Sequence, residues 1–270
     1  MLQLRLIAAP ALPLEVETVN PLTLRGLSLR EVAKQPIAHG NRTVELGDFF
    51  QVSGTADGEG INIEGDCTKV NRLGERMTTG SIIVQGNIGR HLGAYLAGGQ
   101  LHVRGSVGDW AGAEMSGGSI RIHGHAGSQL GASYRGSRLG VKGGTIVVSG
   151  NAGDEVGLRM RRGMICVSGD IGSHAGAAMI AGTLVARSAG AACGAGMKRG
   201  TIVLSRRPTE VSPGHRFSCR LRPAYLGLLK RELDRLGATP EIDYTREFDC
   251  FRGDILQGGN GELFLCAAES

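Results

Sequence analysis

Histidines are the side chains of this sequence that could most readily bind a transition metal ion. His123 and His125 flank Gly124 in a His-x-His pattern, but a mononuclear zinc site needs a third protein ligand and supporting hydrogen bonds. His91 and His174 hold equivalent positions in a repeat described below, yet they lie several repeats apart and cannot share an ion. We therefore predict no metal site and expect His123 and His125 to face outward.

The cysteines offer thiol chemistry, but no two of them form a Cys-x-x-Cys pair, which excludes the usual iron–sulfur and zinc-finger signatures. Segment 1–14 is apolar, carries Arg5 and two prolines, and has no basic leader, so we predict a first strand rather than a signal peptide. Unpatterned cysteines without an export signal favour a reducing cytoplasm. The cysteines are Cys67, Cys166, Cys193, Cys219, Cys250 and Cys266.

Carboxylates do not form a catalytic pair in this sequence. Asp109, Asp154 and Asp170 each follow a glycine at a predicted corner, where aspartate commonly accepts hydrogen bonds from nearby backbone amides. The segment Gly58-Glu-Gly60 lacks the third glycine and the long helix of a dinucleotide-binding loop. No activated nucleophile stands out either, so we predict no catalytic residue in this chain.

Basic side chains form the surface that we expect to contact a ligand or a partner. The net charge of +5 favours an anionic partner, but no basic run is interleaved with aromatic residues, as single-stranded nucleic acid binding requires. Six basic residues are predicted to lie in the short links that precede the glycines opening each repeat, and hence on one edge of the stack. The alternative is a solvated edge that keeps the protein soluble. The six are Arg135, Arg138, Arg161, Arg162, Lys198 and Arg199.

A glycine-rich unit of about 19 residues positions all these side chains. Apolar residues stand two and four places after its opening glycine, which predicts a short strand with one face inward. One step is 26 residues long, because segment 135–143 carries an insertion of seven residues that we expect to project outward. The opening glycines are Gly80, Gly99, Gly118, Gly144, Gly163, Gly182 and Gly200.

Stacking these units about 4.8 Å apart gives an all-β fold, a right-handed β-helix or β-solenoid. Glycine accounts for 45 of 270 residues and aromatic residues for only 4%, so continuous aliphatic ladders rather than bulky side chains must supply the core. A later apolar position recurs in each unit as Leu96, Met115, Tyr134 and Met160. Charged residues in every unit exclude membrane-helix packing through Gly-x-x-x-Gly, which needs about 20 consecutive apolar residues.

Three segments are predicted: an N-terminal cap (1–43), the solenoid (44–205) and a C-terminal extension (206–270). In the cap, we expect a short strand over 22–24 and a helix opened by the capping box of Ser28 and Glu31. In the extension, apolar residues at helical spacing predict an amphipathic helix over 223–236 that ends at Gly237. We expect this helix to seal the last coil; the alternative is docking on a partner.

Several glycine motifs resemble a known family. They are similar to the glycine-rich repeat shared by the C subunit of formylmethanofuran dehydrogenase and the C-terminal domain of the glutamate synthase large subunit, over roughly residues 20–205. The segment Phe217-Ser-Cys-Arg-Leu-Arg-Pro223 and its helix resemble the bacterial form, the C subunit of the formyltransferase/hydrolase complex. The motifs are Gly47-Asp-Phe-Phe50, Gly65-Asp66, Gly74-x-x-Met77, Gly86-Asn-Ile-Gly89 and Gly150-Asn-Ala-Gly153.

The resemblance implies a function in one-carbon metabolism. The complex of that family transfers formyl from a tetrahydromethanopterin carrier to a methanofuran-type amine and releases formate. An amidohydrolase-like A subunit holds the metal, the D subunit transfers formyl, and the B and C subunits complete the assembly. This chain would be a non-catalytic scaffold that binds no cofactor, no nucleic acid and no membrane. The carrier's glutamate tail, or an acidic surface on a partner, would be the anion that the basic edge attracts.

Two other interpretations of the residues remain open. A glutamate synthase-like structural domain would share the same repeat. An autonomous β-helix enzyme acting on polysaccharide would need a carboxylate cluster, which the sequence lacks.

Overall fold

Short strands and helices make up the first 71 residues. The structure is a computed structural model that describes residues 1–208 and 210–267, so residue 209 and the last three residues of the predicted extension lie outside the described part. The strands here are β1 (Leu2–Leu6), β2 (Leu14–Glu15), β3 (Pro36–His39), β4 (Arg42–Glu45), β5 (Phe50–Gly54), β6 (Gly60–Glu64) and β7 (Val70–Asn71), and the helices are α1 (Pro21–Leu24) and α2 (Leu29–Ala33).

The two short helices begin at capping residues. The Ser28 hydroxyl accepts a hydrogen bond from the amide of Glu31, whose carboxylate accepts one from the Ser28 amide, so the predicted capping box is confirmed. The strand predicted over 22–24 is wrong. Asn20 accepts hydrogen bonds from two amides there and Pro21 occupies the first helical turn, which fixes the backbone as helix α1.

Each repeat contributes one four-residue strand to a large, mainly parallel sheet. Ile82, Leu101 and Ile120 are direct cross-strand neighbours, and so are Val84 and Val103. These five side chains are at most 2% exposed, which confirms the predicted inward positions. The repeat strands are β8 (Ser81–Val84), β9 (Gln100–Val103), β10 (Ser119–Ile122), β11 (Thr145–Val148), β12 (Met164–Val167), β13 (Thr183–Ala186) and β14 (Thr201–Leu204).

A second ladder of isolated parallel bridges runs through the corners that follow these strands. Ile88 bridges Val107, and the same position continues from repeat to repeat as far as Ala189. Non-glycine corner residues adopt left-handed backbone conformations, for example His91 with a φ of 60° and Trp110 with a φ of 65°. This conformation costs about 1–2 kcal/mol for an L-residue. A backbone hydrogen bond of 2.9 Å from His91 to the next repeat helps to offset it.

The seven-residue insertion, predicted over residues 135–143, lies before Val141 in the structure. Val141 is fully buried and lies three residues before Gly144, the position that Met115 and Met160 hold in their repeats. Tyr134 is therefore not the late apolar residue of its repeat, and that prediction is wrong. The link that follows is Lys142-Gly143, in which the Lys142 amide donates to the carbonyl of Met115 at 2.7 Å. The extra residues lie before Val141, as an exposed loop around Arg135 and Arg138.

The C-terminal segment extends the sheet and covers one of its faces. It contains β15 (Arg216–Leu221), α3 (Tyr225–Arg235), β16 (Phe248–Gly253) and β17 (Gly261–Cys266). Strand β17 pairs in parallel with β14, and β16 and β15 follow in antiparallel order. At the other end, β1 pairs in parallel with β6 and antiparallel with β5. The sheet order is β15-β16-β17-β14-β13-β12-β11-β10-β9-β8-β6-β1-β5.

Helix α3 lies on the outer face of the sheet instead of sealing the last coil. Leu226, Leu229 and Leu233 are buried against outward-facing residues of the last repeat strands. The prediction of a helical seal is therefore wrong, because β17 covers the edge of β14. The sequence carries the signal for this packing: the third residue after the opening glycine is polar as His102 and Arg121, and then becomes apolar from β11 onward. The apolar residues at this position are Val147, Cys166, Val185 and Val203.

Candidate ligand- and partner-binding surface

The basic depression is a shallow concavity lined by Arg161, Arg162, Lys198 and Arg199. Its volume is ≈ 440 Å³, and its floor between the two basic pairs is formed by Ile180, Ala181 and Gly182. The sequence predicted that these four side chains would share an edge, and the structure brings them together. They lie in links that are two repeats apart, a separation of roughly 10 Å.

Backbone hydrogen bonds between repeats hold these links in place. The Arg161 amide donates to Val141 at 2.8 Å, and the Lys198 amide donates to Met179 at 2.7 Å. The carbonyl acceptors belong to the late apolar residues, whose side chains are fully buried. The links are therefore fixed by the core, while their four basic side chains are exposed. None of the four forms an ion pair with any residue of the described part of the chain, so their charge is available to an external anion.

Arg135 and Arg138 do not line this depression. Both are exposed in the loop that precedes Val141, and the corresponding link of their repeat is Lys142-Gly143. The predicted placement of Arg135 and Arg138 in a link is therefore wrong. The reason is the position of the seven-residue insertion, which the glycine spacing alone could not fix.

The two histidines of the His-x-His pattern have different partners. His125 Nδ1 accepts a hydrogen bond of 3.0 Å from the amide of Asn151 in the next repeat. His123 instead meets His102 of the neighbouring strand, with 3.1 Å between the two Nε2 atoms. The rings are inclined by only 12° and their centroids are 5.2 Å apart, so the two imidazoles are nearly parallel and one Nε2 donates a hydrogen bond to the other. Burial and the neighbouring His123 lower the pKa of His102.

The His102–His123 pair could not be predicted from residue spacing, because the two residues are diagonal neighbours across β9 and the end of β10. Only the strand register reveals the contact. His102 also lines a cleft of ≈ 400 Å³ beside the end of α3, where the Arg121 guanidinium donates to the carbonyl of Gly237 at 3.3 Å.

An aromatic cluster surrounds His91 at the base of the insertion. Tyr134 bonds to His91 Nδ1 at 2.8 Å and stacks on Trp110 with a centroid separation of 4.9 Å. Tyr95 contacts Tyr134 and carries the Arg76 guanidinium over its ring at 5.0 Å. Burial lowers the pKa of His91 and raises that of Tyr134. His91 therefore acts as a neutral packing partner at neutral pH.

The three predicted corner aspartates link or stabilise successive repeats. Asp109 accepts a hydrogen bond from the amide of Ser128 at 3.0 Å, and Asp154 accepts one from Ser173 at 2.7 Å. Asp170 accepts one from the Arg187 guanidinium, which lowers the pKa of its carboxyl group. Asp109 and Asp154 thus bond backbone amides as predicted, although the amides belong to the following repeat. For Asp170 the prediction is wrong, because its partner is the Arg187 side chain. These carboxylates are committed to holding the stack together.

The described residues offer neither a metal cage nor a membrane span. Across residues 1–208 and 210–267, no group of three or more His, Cys, Asp or Glu side chains is arranged to hold a metal ion. In the same part of the chain, none of the helices is both long and apolar enough to cross a bilayer.

Curated relatives match part of the chain. A segment of 89 residues is 44% identical to the C subunit of tungsten-containing formylmethanofuran dehydrogenase 2 from Methanothermobacter wolfeii, and covers 32% of this chain and 33% of that protein. A segment of 83 residues is 34% identical to the C subunit of molybdenum-containing formylmethanofuran dehydrogenase 1 from Methanosarcina barkeri, and covers 29% and 28%. The chain spans about a third of the length of the curated relatives it matches. No protein-family model matches the chain.

A solved structure matches almost the whole chain. It is a chain of the formyltransferase/hydrolase complex (FhcABCD) from Methylorubrum extorquens in complex with methylofuran. The identity is 35% and the TM-score 0.93, over 98% of this chain and 100% of that chain. This chain belongs to the family of formylmethanofuran dehydrogenase C subunits. Tungsten and molybdenum appear in the names of other members of this family, but the described residues of this member do not fit a metal centre.

Proposed function

We propose that this chain is the non-catalytic structural subunit of a cytoplasmic formyltransferase/hydrolase complex. The complex would transfer formyl from formyl-tetrahydromethanopterin to a methanofuran-type carrier and hydrolyse the product to formate. The observation that carries this proposal is the full-length similarity to a chain of a complex that holds methylofuran. The partners would be the amidohydrolase-like A subunit, which would hold the metal, the B subunit, and the formyltransferase D subunit.

The scaffold would be a right-handed β-solenoid of 19-residue coils. Two parallel ladders support this proposal: one is formed by the repeat strands and the other by single bridges between corners. Both ladders pair equivalent positions of successive repeats, as the coils of a solenoid do. Segments 1–43 and 206–270 would cover the two ends of segment 44–205, because β1 and β17 each pair with a strand of the repeat stack.

A scaffolding role is supported by what its polar side chains already do. The corner aspartates bond the next repeat, His91 packs against Tyr134, and His102 and His123 bond each other. These side chains hold the stack together and are already engaged with each other or with the next repeat, so they are not free to act as general acids or bases. The chain would therefore position its partners without taking part in the reaction.

The basic depression would attract an anionic group of the complex. Four cationic side chains surround an apolar floor, and a local excess of one sign of charge concentrates counter-ions there. A carboxylate-rich carrier tail and an acidic surface on a partner offer the same chemistry. Arg135 and Arg138 would extend this contact from the loop, at a greater distance from the depression.

The test compares two double variants with equal charge change. Arg161→Gln/Arg162→Gln removes two charges from the depression, and Arg135→Gln/Arg138→Gln removes two from the loop. Each full-length variant is co-expressed with the other subunits, and assembly and the KM for the carrier are measured at about 20 mM and 500 mM salt. Surface electrostatics weaken at the higher salt, where the Debye length is only about 4 Å.

We expect the depression variant to lower assembly or raise the KM about 3–10-fold at low salt, with a smaller effect at high salt. The loop variant should change either quantity less. Equal behaviour of both variants and the wild type would refute the role of the depression. Turnover of formyl substrate by the free chain, purified without its partners, would refute the scaffold proposal itself.

A further inference from the structure

Strand β15 is the outermost strand of the sheet at the C-terminal end, and it carries an exposed cysteine. Its residues are almost all solvent-exposed, and among the described strands it pairs only with β16. In that pairing, Cys219 lies opposite Cys250, directly after a bulge between Phe217 and Cys219. Residues that face each other across antiparallel strands point to the same side of the sheet. The two thiols therefore share one face.

The strand register places this pair where a disulfide can form. Directly opposite residues of antiparallel strands have Cα atoms about 4.5 or 5.5 Å apart, and both values lie within the range of about 4.4–6.8 Å that disulfides require. After burial, which is the main cause, the neighbouring Cys219 also raises the pKa of the Cys250 thiol. Cys266 is opposite Phe248, so it is a diagonal neighbour of Cys250, and diagonal Cα atoms about 7–8 Å apart are too distant for a direct bond.

The two thiols differ in access to solvent. Cys219 is exposed, whereas Cys250 is 2% exposed, and burial raises the pKa of its thiol. The other buried cysteines, Cys67, Cys166 and Cys193, each have a pKa raised by burial to about 12. A dissolved reagent should therefore react first at Cys219, and Cys250 is the thiol placed to react next.

We propose that Cys219 and Cys250 form a thiol–disulfide exchange site whose co-substrate is a low-molecular-weight disulfide. The Cys219 thiolate attacks one sulfur of the small disulfide, whose S–S bond breaks and releases one small thiolate. The Cys250 thiolate then attacks the Cys219 sulfur and releases the second small thiolate. The protein pair loses two electrons, the small disulfide gains them, and the two protein protons end on the two released thiols.

Oxidation would tie the edge strand to the sheet. The bond would close a loop from residue 219 to residue 250 that contains all of α3, the helix that covers β11–β14. A cross-link of this kind restricts the unfolded chain and secures β15 against opening. Intracellular disulfides are mostly transient and responsive to redox conditions, so the pair would stabilise the α3 segment under oxidising conditions. This inference is independent of the proposed function.

The test treats the folded full-length chain with the aromatic disulfide 5,5′-dithiobis(2-nitrobenzoic acid). The parent is the Cys266→Ser variant, which removes the half-buried neighbouring thiol. We expect about two equivalents of nitrothiobenzoate per chain, no retained adduct, and a Cys219–Cys250 cross-linked peptide in mass spectrometry. Adding Cys250→Ser should give about one equivalent and an adduct retained on Cys219. Adding Cys219→Ser should slow the release at least tenfold.

A stable adduct retained on Cys219 of the parent would overturn the proposal, since it would show that Cys250 does not resolve it. A cross-link from Cys219 to any other cysteine, or release that is unchanged by Cys219→Ser, would overturn it as well. If the Cys250→Ser chain does not fold, as judged by circular dichroism, peptide mapping of the parent decides alone. The melting temperature of the oxidised parent should exceed that of the same protein after reduction.

Discussion

Replacing Val103 by aspartate tests the central ladder of the fold. The Val103 side chain is fully buried, and its strand is paired on both sides, with Val84 and Ile122 as direct neighbours. A carboxylate at this position would have only aliphatic groups around it and no hydrogen-bond donor from the side chains of the ladder. An unpaired buried charge costs about 3–5 kcal/mol.

The cost converts to a measurable fall in melting temperature. Unfolding entropy is roughly 2.1 cal/mol/K per residue, which gives about 0.57 kcal/mol/K for 270 residues. A loss of about 4 kcal/mol therefore lowers the melting temperature by about 7 °C. Because burial raises the pKa of a carboxyl group, the penalty should be smaller near pH 4 than at pH 7. Gln100→Asp is the matched control, since Gln100 is exposed on the same strand.

The assay is thermal unfolding followed by circular dichroism at both pH values. We expect Val103→Asp to melt well below the wild type at pH 7 and Gln100→Asp to stay within about 1 °C of it. Equal melting temperatures for Val103→Asp and wild type would refute the inward assignment of this residue. A fall of the same size in both variants would show that charge, and not burial, determines the effect.

Two further predictions concern the C-terminal segment. Leu233→Ala should lower the free energy of unfolding by about 2–5 kcal/mol in urea denaturation, because Leu233 lies on the buried face of α3 and is 1% exposed. Leu228→Ala is the control on the outer face of the same helix: Leu228 is 65% exposed, and its loss should change the free energy by less than about 0.5 kcal/mol. Similar losses in both variants would contradict the packing described for α3. Asp249 is buried and held by Arg207 and Arg220, and its hydrogen bond to Arg220 is the main cause that lowers its carboxyl pKa. An acid with a lowered folded-state pKa contributes stability above its unfolded pKa of about 3.9 and loses it as pH falls through the folded value. Urea denaturation should therefore show that Asp249→Asn has a lower free energy of unfolding than the wild type at pH 6. This difference should shrink below about pH 4. A difference in free energy that does not change with pH would contradict the role of the ion pairs.

The repeat could be predicted from the sequence because the same short pattern of glycine and apolar residues occurs seven times. Apolar residues two and four places after the opening glycine form a strand face, and the structure buries Ile82, Leu101 and Ile120 accordingly. The caps of α2 and α3 were also predictable, since Ser28, Glu31 and Gly237 carry conformational preferences of their own. Local preference and burial agree at these positions.

The remaining features depend on contacts that the local sequence does not encode. Either Tyr134 or Val141 could have completed its repeat, and only backbone pairing with Met115 and its neighbours selects Val141. Helix α3 could cover any apolar surface, and its position depends on the apolar outward residues from Val147 onward. The pairing of His102 with His123 requires the strand register. The basic depression was predictable in part, because Arg161 and Lys198 follow undisturbed repeats.

Both ends of the parallel stack finish with a reversal of chain direction. Beyond β1 lies the antiparallel strand β5, and beyond β17 lies the antiparallel strand β16, to which β15 is added as the outermost strand. Among the described strands, β5 and β15 hold the two outermost positions, so no repeat strand is left at either edge to pair in parallel with a second copy. Open strand edges otherwise template fibres, as in head-to-tail assemblies that do not close. The number of repeat strands in the described sheet is thus bounded on both sides by strands of the same chain.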